Sequence, residues 1–205
     1  MTKKLTALLA AVILLLTLGG CGKKAENPPA IDPTEATRLA ETFVKAYYLR
    51  DYAARFPLCF YDARARWEDA AIRDAGSAEE FFQLAQRQAD EKGIEVTVDS
   101  FDSYYAAYRQ FILDDVQEIY GDYTLTATAT NSVKMSEDLL PQFRTNLLTG
   151  PAKEYIDADA LNAVTEVYTV TVHIHIDGEK KEYDENYVVY VVNHNGQWLV
   201  ADHSN

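Results

Sequence analysis

Two stretches near the end of the chain, YTVTVHIHIDG at residues 168–178 and NYVVYVVNHNGQWLVA at residues 186–201, decide its fold. In the first, apolar residues alternate with threonine and histidine, and a period of two residues is typical of a β-strand with one buried face. In the second, Asn195-Gly196 interrupts a run of β-branched and aromatic residues. This dipeptide is a strong hairpin signal because both residues tolerate a positive φ. Residues 163–203 therefore predict three consecutive antiparallel strands.

The hairpin also predicts how the strands are aligned. A two-residue turn pairs His194 with Gln197 and Val192 with Leu199. An even number of residues in the loop after Ile176 keeps the apolar rows of the three strands on one face, whereas an odd number would divide them. This inner face is almost wholly apolar, so we expect it to be buried. Its members are Tyr168, Val170, Val172, Ile174, Ile176, Tyr183, Tyr187, Val189, Val191, Trp198 and Val200.

The opposite face of the strands, the outer face, is polar at one end and apolar at the other. The polar end carries His173, His175, Asp184 and Asn186, and the apolar end carries Val188, Tyr190, Val192 and Leu199. A contiguous apolar patch usually marks an interface. We expect either the segment between Phe101 and Leu148 or a second copy of the chain, in a homodimer, to cover it.

The N-terminus has the pattern of an export signal. Two lysines precede an apolar stretch at residues 5–18, which is too short to span a bilayer. Leu18-Gly19-Gly20-Cys21 resembles a bacterial lipobox, which implies lipidation of the Cys21 thiol and cleavage before it. We predict a signal peptide at 1–20, a tether at 21–31, and a location on the extracytoplasmic face of the cell membrane. An ordinary secretory signal is the alternative.

Charge and cysteine content exclude several classes of function. The chain carries a net charge of −13, which becomes −15 when residues 1–20 and their two lysines are removed. A surface this acidic repels nucleic acid, so we expect no nucleic-acid partner. Of the two cysteines, Cys21 is assigned to lipid, and Cys59 is left without a disulfide partner. Cys59 lies in an apolar run and is interpreted as a buried thiol.

The chain before these strands is mostly helical by pattern. Asp32, Asp62 and Ser77 are predicted helix N-caps. Longer helical periodicity covers Phe101 to Tyr120, and a shorter helix is predicted at 136–148. Alternation at 94–98 and at 123–130 predicts two further strands. Helices first and a mostly antiparallel sheet afterwards define an α+β fold.

Two segments resemble the NTF2-like, cystatin-like superfamily. Residues 43–54, FVKAYYLRDYAA, are similar to its first helix, and residues 187–200 are similar to its last hairpin with a Gly-x-Trp-x-Val ending. The resemblance implies one domain at 32–205, with a curved sheet wrapped on helices and a cone-shaped pocket between them. It implies no single activity. The helical segment between Phe101 and Leu148 is longer than the family pattern and is interpreted as an insertion.

The inner-face aromatics are the candidate ligand pocket. If the helices at 32–93 cover that face, Tyr168, Tyr183, Tyr187 and Trp198 should line the cavity implied by the resemblance. Aromatic walls with hydroxyl tips suit a neutral or cationic ligand of mixed polarity, and the net negative charge disfavours anions. We expect truncation of Tyr187 to weaken binding more than truncation of His173 or His175.

The two strand histidines are a second candidate. His173 and His175 lie two residues apart on one strand face, a spacing that can place both imidazoles on one metal ion, with Glu182 or Asp184 as a third ligand. The favoured interpretation is a polar strand end with hydrogen-bonded carboxylates, so no metal and no cofactor is expected. No catalytic residue is assigned. The predicted function is non-catalytic binding of a small ligand or protein partner, the alternatives being a dehydratase- or isomerase-type enzyme and a structural or assembly subunit.

Overall fold

The computed structural model describes residues 34–204 and has an α+β fold. The helices are α1 Glu35–Tyr48, α2 Tyr52–Arg55, α3 Ala63–Ala75, α4 Ala78–Glu91, α5 Phe101–Tyr120, α6 Leu140–Thr149 and α7 Ala158–Asn162. The strands are β1 Tyr123–Lys134, β2 Val164–Gly178, β3 Glu182–His194 and β4 Gln197–Ser204. The predicted signal peptide, Cys21, the tether and the Asp32 cap lie outside the described residues. Within 34–204, no helix is both long and apolar enough to cross a membrane.

The four strands form one open antiparallel sheet in the order β1-β2-β3-β4. The predicted alignment is confirmed, since His194 pairs with Gln197 and Ile176 pairs with Tyr183 across a loop of even length. Asn195 and Gly196 have φ values of +53° and +86°, as a type I′ turn requires. Bulges interrupt all three strand pairings, and each one bends the strand that carries it.

The inner face of the sheet is the main core, as predicted. Helix α1 and the second half of α5 cover it with Ala36, Ala40, Phe43, Val44, Ile112, Val116 and Tyr120, which pack on the aliphatic rows of β2, β3 and β4. Helix α1 is capped by Thr34, whose side chain accepts a hydrogen bond from the N–H of Thr37. The expectation that all helices up to Gly93 cover this face was wrong, because α3 and α4 pack mainly on one another and on α5.

The apolar end of the outer face is covered by the chain itself. Phe143 and Leu147 of α6, with the segment that follows, pack on β2, β3 and β4. This cluster contains Phe143, Leu147, Ala152, Ile156, Leu161, Val164, Val167, Val192 and Ala201, with Tyr190 and Leu199 partly buried against it. We expected either the segment between Phe101 and Leu148 or a second copy of the chain to cover this end. The chain's own segment covers it, and the cover continues to residue 161. A homodimer through the outer face stays a prediction.

The free edge of β4 is also occupied. Residues 58–61 run beside it, and the N–H of Phe60 donates to the carbonyl of Val200 at 2.8 Å. At the opposite edge, a bulge in β1 leaves the N–H of Ala129 to donate to Glu41 Oε1 at 2.7 Å. Both contacts satisfy backbone groups that an open sheet edge would otherwise leave available for pairing with another chain.

The predicted strand at 94–98 was wrong. The segment pairs with no strand, and the N–H of Val96 donates to the carbonyl of Ile94 at 2.9 Å, which is a tight turn. The side chain of Gln86 binds the backbone that a neighbouring strand would otherwise pair with, because its Nε2 donates to the carbonyl of Val96 at 3.0 Å and its Oε1 accepts from the N–H of Val98 at 2.7 Å. Alternation predicts which side chains are buried, whereas a strand also needs a backbone partner, which only tertiary packing provides.

Replacing Gly178 with alanine should destabilise the turn between β2 and β3. A Cβ there would lie 2.7 Å from the carbonyl oxygen of Lys181 and 2.8 Å from that of Tyr120. Because both atoms belong to the backbone, the turn must shift, and we expect the free energy of unfolding to fall by about 1–3 kcal/mol. Gly93→Ala is the control, since its Cβ meets nothing within 4 Å and only the positive φ is strained. Urea unfolding measures both losses. A smaller loss in the free energy of unfolding for Gly178→Ala than for Gly93→Ala would contradict this prediction.

Candidate functional site

The structure divides the four predicted pocket residues into two pairs. Tyr168 and Trp198 contact each other with ring centroids 5.5 Å apart, near the end of β3 that meets β4. Tyr183 and Tyr187 lie near the start of β3. All four are on the predicted face, and each packs against the main core. Tyr187 is only 4% exposed, so the four side chains do not surround one common cavity.

Glu185 joins the second pair and was missed in the sequence. The hydroxyls of Tyr183 and Tyr187 both donate to Glu185 Oε2, at 2.9 and 2.6 Å. Burial raises the pKa of both tyrosines, and the carboxylate of Glu185 raises it further, so both remain protonated donors. Strict alternation in β3 places residues 183, 185 and 187 in one row, so the pattern contained this signal.

A cavity of about 380 Å³ lies on the other side of the sheet, between α6 and the outer face. This volume falls within the usual range for small-molecule sites. Its lining is Arg66, Met135, Leu139, Gln142, Phe143, Asn146, Leu147, Gly150, Pro151, Ala152, Tyr190, Ala201 and Asp202. The covering of this face was predicted from the sequence, whereas the pocket beneath the cover was not.

Local sequence explains how the cavity is built. Phe143 and Leu147 are four residues apart and lie on the same side of α6. Both are buried toward the sheet, where the ring of Phe143 lies 6.1 Å from that of Tyr190. Opposite them, Ala201 contributes only a methyl group, which leaves space between helix and strand. Gln142 and Asn146 are exposed members of the lining. The result is an apolar floor with a polar rim.

Two charged side chains reach the cavity without pairing with each other. Arg66 Nη1 donates to the hydroxyl of Tyr61 at 3.1 Å and forms no ion pair within residues 34–204. Asp69, which follows Arg66 by three residues on α3, accepts a hydrogen bond from the hydroxyl of Tyr155 at 2.9 Å. Asp202 is the single carboxylate among the lining residues. The cavity therefore offers one cation and one anion.

His203, on β4, and Cys59, beside that strand, lie in less polar surroundings. The ring of His203 contacts Phe43 and Tyr47 at centroid distances of 5.0 and 4.5 Å. Burial, reinforced by the Arg55 guanidinium, lowers the pKa of His203 to about 4. Burial likewise raises the pKa of the Cys59 thiol to about 11, which keeps it protonated and unreactive at neutral pH. Cys59 is a free thiol, as predicted.

The two strand histidines meet one carboxylate on the polar end of the outer face. Asp184 Oδ1 lies 2.9 Å from His173 Nε2 and 2.8 Å from His175 Nδ1. Of the two third partners considered in the sequence, Asp184 joins this group and Glu182 does not. His173, which was expected at a solvated strand end, is buried.

Comparison of the chain with family models, with curated proteins and with solved structures finds no match. The cavity offers a partly open volume with an apolar floor and with amide, guanidinium and carboxylate groups around it, which is an arrangement suited to binding a small molecule.

Proposed function

We propose that this chain is a lipid-anchored extracytoplasmic protein that binds a small ligand without transforming it. The observation that carries the proposal is the 380 Å³ cavity beneath α6, with an apolar floor and a rim that includes Gln142 and Asn146. The membrane location is supported by the apolar segment and lipobox-like quartet that end at Cys21, and by the polar tether after it.

The ligand is placed in this cavity rather than among the inner-face aromatics. The inner face is filled by Phe43, Val44 and their neighbours, and Tyr187 has its hydroxyl bound to Glu185. Because Tyr187 does not line this cavity, we no longer expect Tyr187→Ala to weaken binding more than His173→Ala or His175→Ala. Because Arg66 and Asp202 balance each other and the protein is strongly acidic, a neutral or cationic ligand of mixed polarity remains the proposal.

We also propose that residues 32–205 form an NTF2-like domain. The proposal is supported by the first helix packing across an antiparallel sheet that ends in the predicted hairpin. The segment between Phe101 and Leu148, interpreted as an insertion, includes the edge strand β1, and α5 adds Ile112 and Val116 to the main core. If the family assignment holds, this segment is an integral part of this version of the fold.

Blocking the cavity from its rim should abolish ligand binding without unfolding the protein. Asn146 is exposed on α6 and lines the cavity, so Asn146→Trp places a large ring at the opening. Thr145→Trp is the matched control, because Thr145 is the exposed neighbour on the same helix and is not part of the lining. We expect a thermal-shift screen of neutral, cationic and anionic small metabolites to find ligands in the first two classes.

The rise in melting temperature that these ligands cause should be lost in Asn146→Trp and kept in Thr145→Trp. Without ligand, both variants should melt close to the temperature of the parent. A ligand that stabilises Asn146→Trp as strongly as the parent binds elsewhere and contradicts this assignment. A screen in which only anions bind contradicts the ligand class.

An enzyme of the dehydratase or isomerase type is the second candidate, favoured by one observation. Glu185, held by two tyrosine hydroxyls on the inner face, is a carboxylate of the kind used as a general base. Recovery of a bound ligand in chemically altered form, with the conversion lost in Glu185→Gln, would favour the enzyme. Recovery of unaltered ligand supports the binding function.

A further inference from the structure

We propose that His173, His175 and Asp184 form a binding site for a divalent transition-metal ion of the class that prefers imidazole ligands, with Zn²⁺ as its simplest representative. The site lies on the polar end of the outer face and shares no residue with the cavity beneath α6. It is therefore a second site, independent of the proposed ligand-binding function.

The sheet places the three ligand atoms together. His173 and His175 are on the same face of β2, and Asp184 on β3 pairs directly with His175 and lies diagonal to His173. The three atoms, two ring nitrogens and one carboxylate oxygen, all lie within 4.8 Å of one another. Ligands about 2.0–2.1 Å from a tetrahedral Zn²⁺ are roughly 3.3 Å apart. Small rotations of the side chains would therefore suffice to admit the ion, while the backbone pairing stays intact.

The contacts of His173 orient its ring toward the carboxylate. Its Nδ1 lies 3.1 Å from Asn186 Oδ1, and its Nε2 lies 2.9 Å from Asp184 Oδ1. When the Nδ1 proton is donated to the amide oxygen, Nε2 presents its lone pair on the side of Asp184, where one metal ion can bind both groups.

Asn186 would then have the role that outer-shell groups have in metal sites. Metal-bound histidines usually donate their other ring N–H to an oxygen, which fixes the tautomer and the orientation of the ring. His173 meets this condition before any metal is considered. Sequence spacing showed only the pair of histidines, whereas the pairing of β2 with β3 brings in both Asp184 and Asn186.

Burial and charge suit an open three-ligand site. The His173 and His175 side chains are 10% and 15% exposed, whereas that of Asp184 is 32% exposed, so the site is accessible from the carboxylate side. Three protein ligands with an accessible further position are the pattern of open zinc sites. A divalent cation adds two positive charges and gives the site, with its one carboxylate, a net charge of +1, which a protein of net charge −13 favours.

Metal titration of the full chain tests the proposal. The protein, purified in detergent without a histidine tag and stripped with a chelator, is titrated with Zn²⁺ by calorimetry and with Co²⁺ by visible absorption. We expect one Zn²⁺ per chain and the visible bands of Co²⁺ bound to nitrogen and oxygen. His175→Ala and Asp184→Asn should each weaken Zn²⁺ binding by more than about 100-fold. Asn186→Ala should weaken it by about 10- to 100-fold, as loss of an outer-shell partner does.

Three control variants should keep the parent affinity. His194→Ala and Asp177→Asn remove a histidine and an aspartate outside the cluster, and Asn146→Trp blocks the other site. Because His175 and Asp184 are partly exposed, their variants are expected to melt like the metal-free parent, and Zn²⁺ should raise the melting temperature of the parent and of the three controls but not that of these two variants. A Zn²⁺ stoichiometry near zero overturns the proposal. So does Zn²⁺ binding that His175→Ala and Asp184→Asn leave unchanged, or Co²⁺ bands that survive in either variant.

Discussion

Replacing Cys21 with alanine should release the protein from the membrane fraction into the medium or leave it as an unprocessed precursor. If Cys21 carries lipid, its acyl chains are the main attachment, because the apolar stretch at residues 5–18 is too short to span a bilayer. Lys23 and Lys24 would add only about 1 kcal/mol each next to anionic lipid. We therefore expect almost none of the Cys21→Ala protein to remain in the membrane fraction in processed form.

Cell fractionation, with the mass of the mature N-terminus determined in parallel, measures this change. Cys59→Ala is the matched control, because it removes the other thiol of the chain and should leave the fractionation unchanged. Membrane retention of Cys21→Ala with processing still before residue 21 would contradict lipidation. Release of the parent protein itself would favour an ordinary secretory signal.

Acid should destabilise the fold through His203 by about 2 kcal/mol. Burial, with Arg55 next in effect, lowers the pKa of His203 from 6.5 to about 4. The folded protein therefore binds this proton less tightly than the unfolded chain. The resulting stability is fully present above pH 6.5 and is lost as the pH falls from 6.5 to 4. At roughly 1.4 kcal/mol per pKa unit, the largest contribution of His203 to the free energy of unfolding is about 3 kcal/mol. We expect about 2 kcal/mol, because solvent screens a partly exposed ring.

His203→Phe isolates this contribution from that of the carboxylates, which titrate alike in both proteins. Phenylalanine keeps the edge contacts with Phe43 and Tyr47 but cannot be protonated. Urea unfolding at a series of pH values should give similar stabilities at pH 7. The parent should then lose about 2 kcal/mol more than the variant by pH 4. Parallel stability curves for the two proteins would show that His203 is not the group responsible.

Both proposed sites lie on the outer face, whereas the inner face is filled by α1 and α5. Strand β3 contributes to both sites: Tyr190 lines the cavity beneath α6, and Asp184 belongs to the histidine cluster. The inner face of valine, isoleucine and tyrosine is stabilised by burial, and the carboxylate of Glu185 on that face is bound by the hydroxyls of Tyr183 and Tyr187.

Several features were predictable because they depend on residues close together in the chain. Asn195-Gly196 determines its hairpin through local backbone preference, and the alternation in β2 determines which side chains share a face. The caps at Asp62 and Ser77 were predicted for the same reason, since each carboxylate or hydroxyl accepts from an N–H three residues away. The inner face, the α+β class and the covering of the outer face followed from these patterns.

Other features depend on contacts between residues far apart in sequence, and only the tertiary structure decided them. The cavity exists because α6 lies over Ala201, and Arg66 is available to it because Tyr155 binds Asp69. Residues 94–98 form no strand, because their backbone is bound by the side chain of Gln86 and not by a neighbouring strand. Local pattern determines the conformation and facing of each segment. Which segments meet depends on the fit of surfaces across the whole fold, and spacing along the chain does not encode that fit.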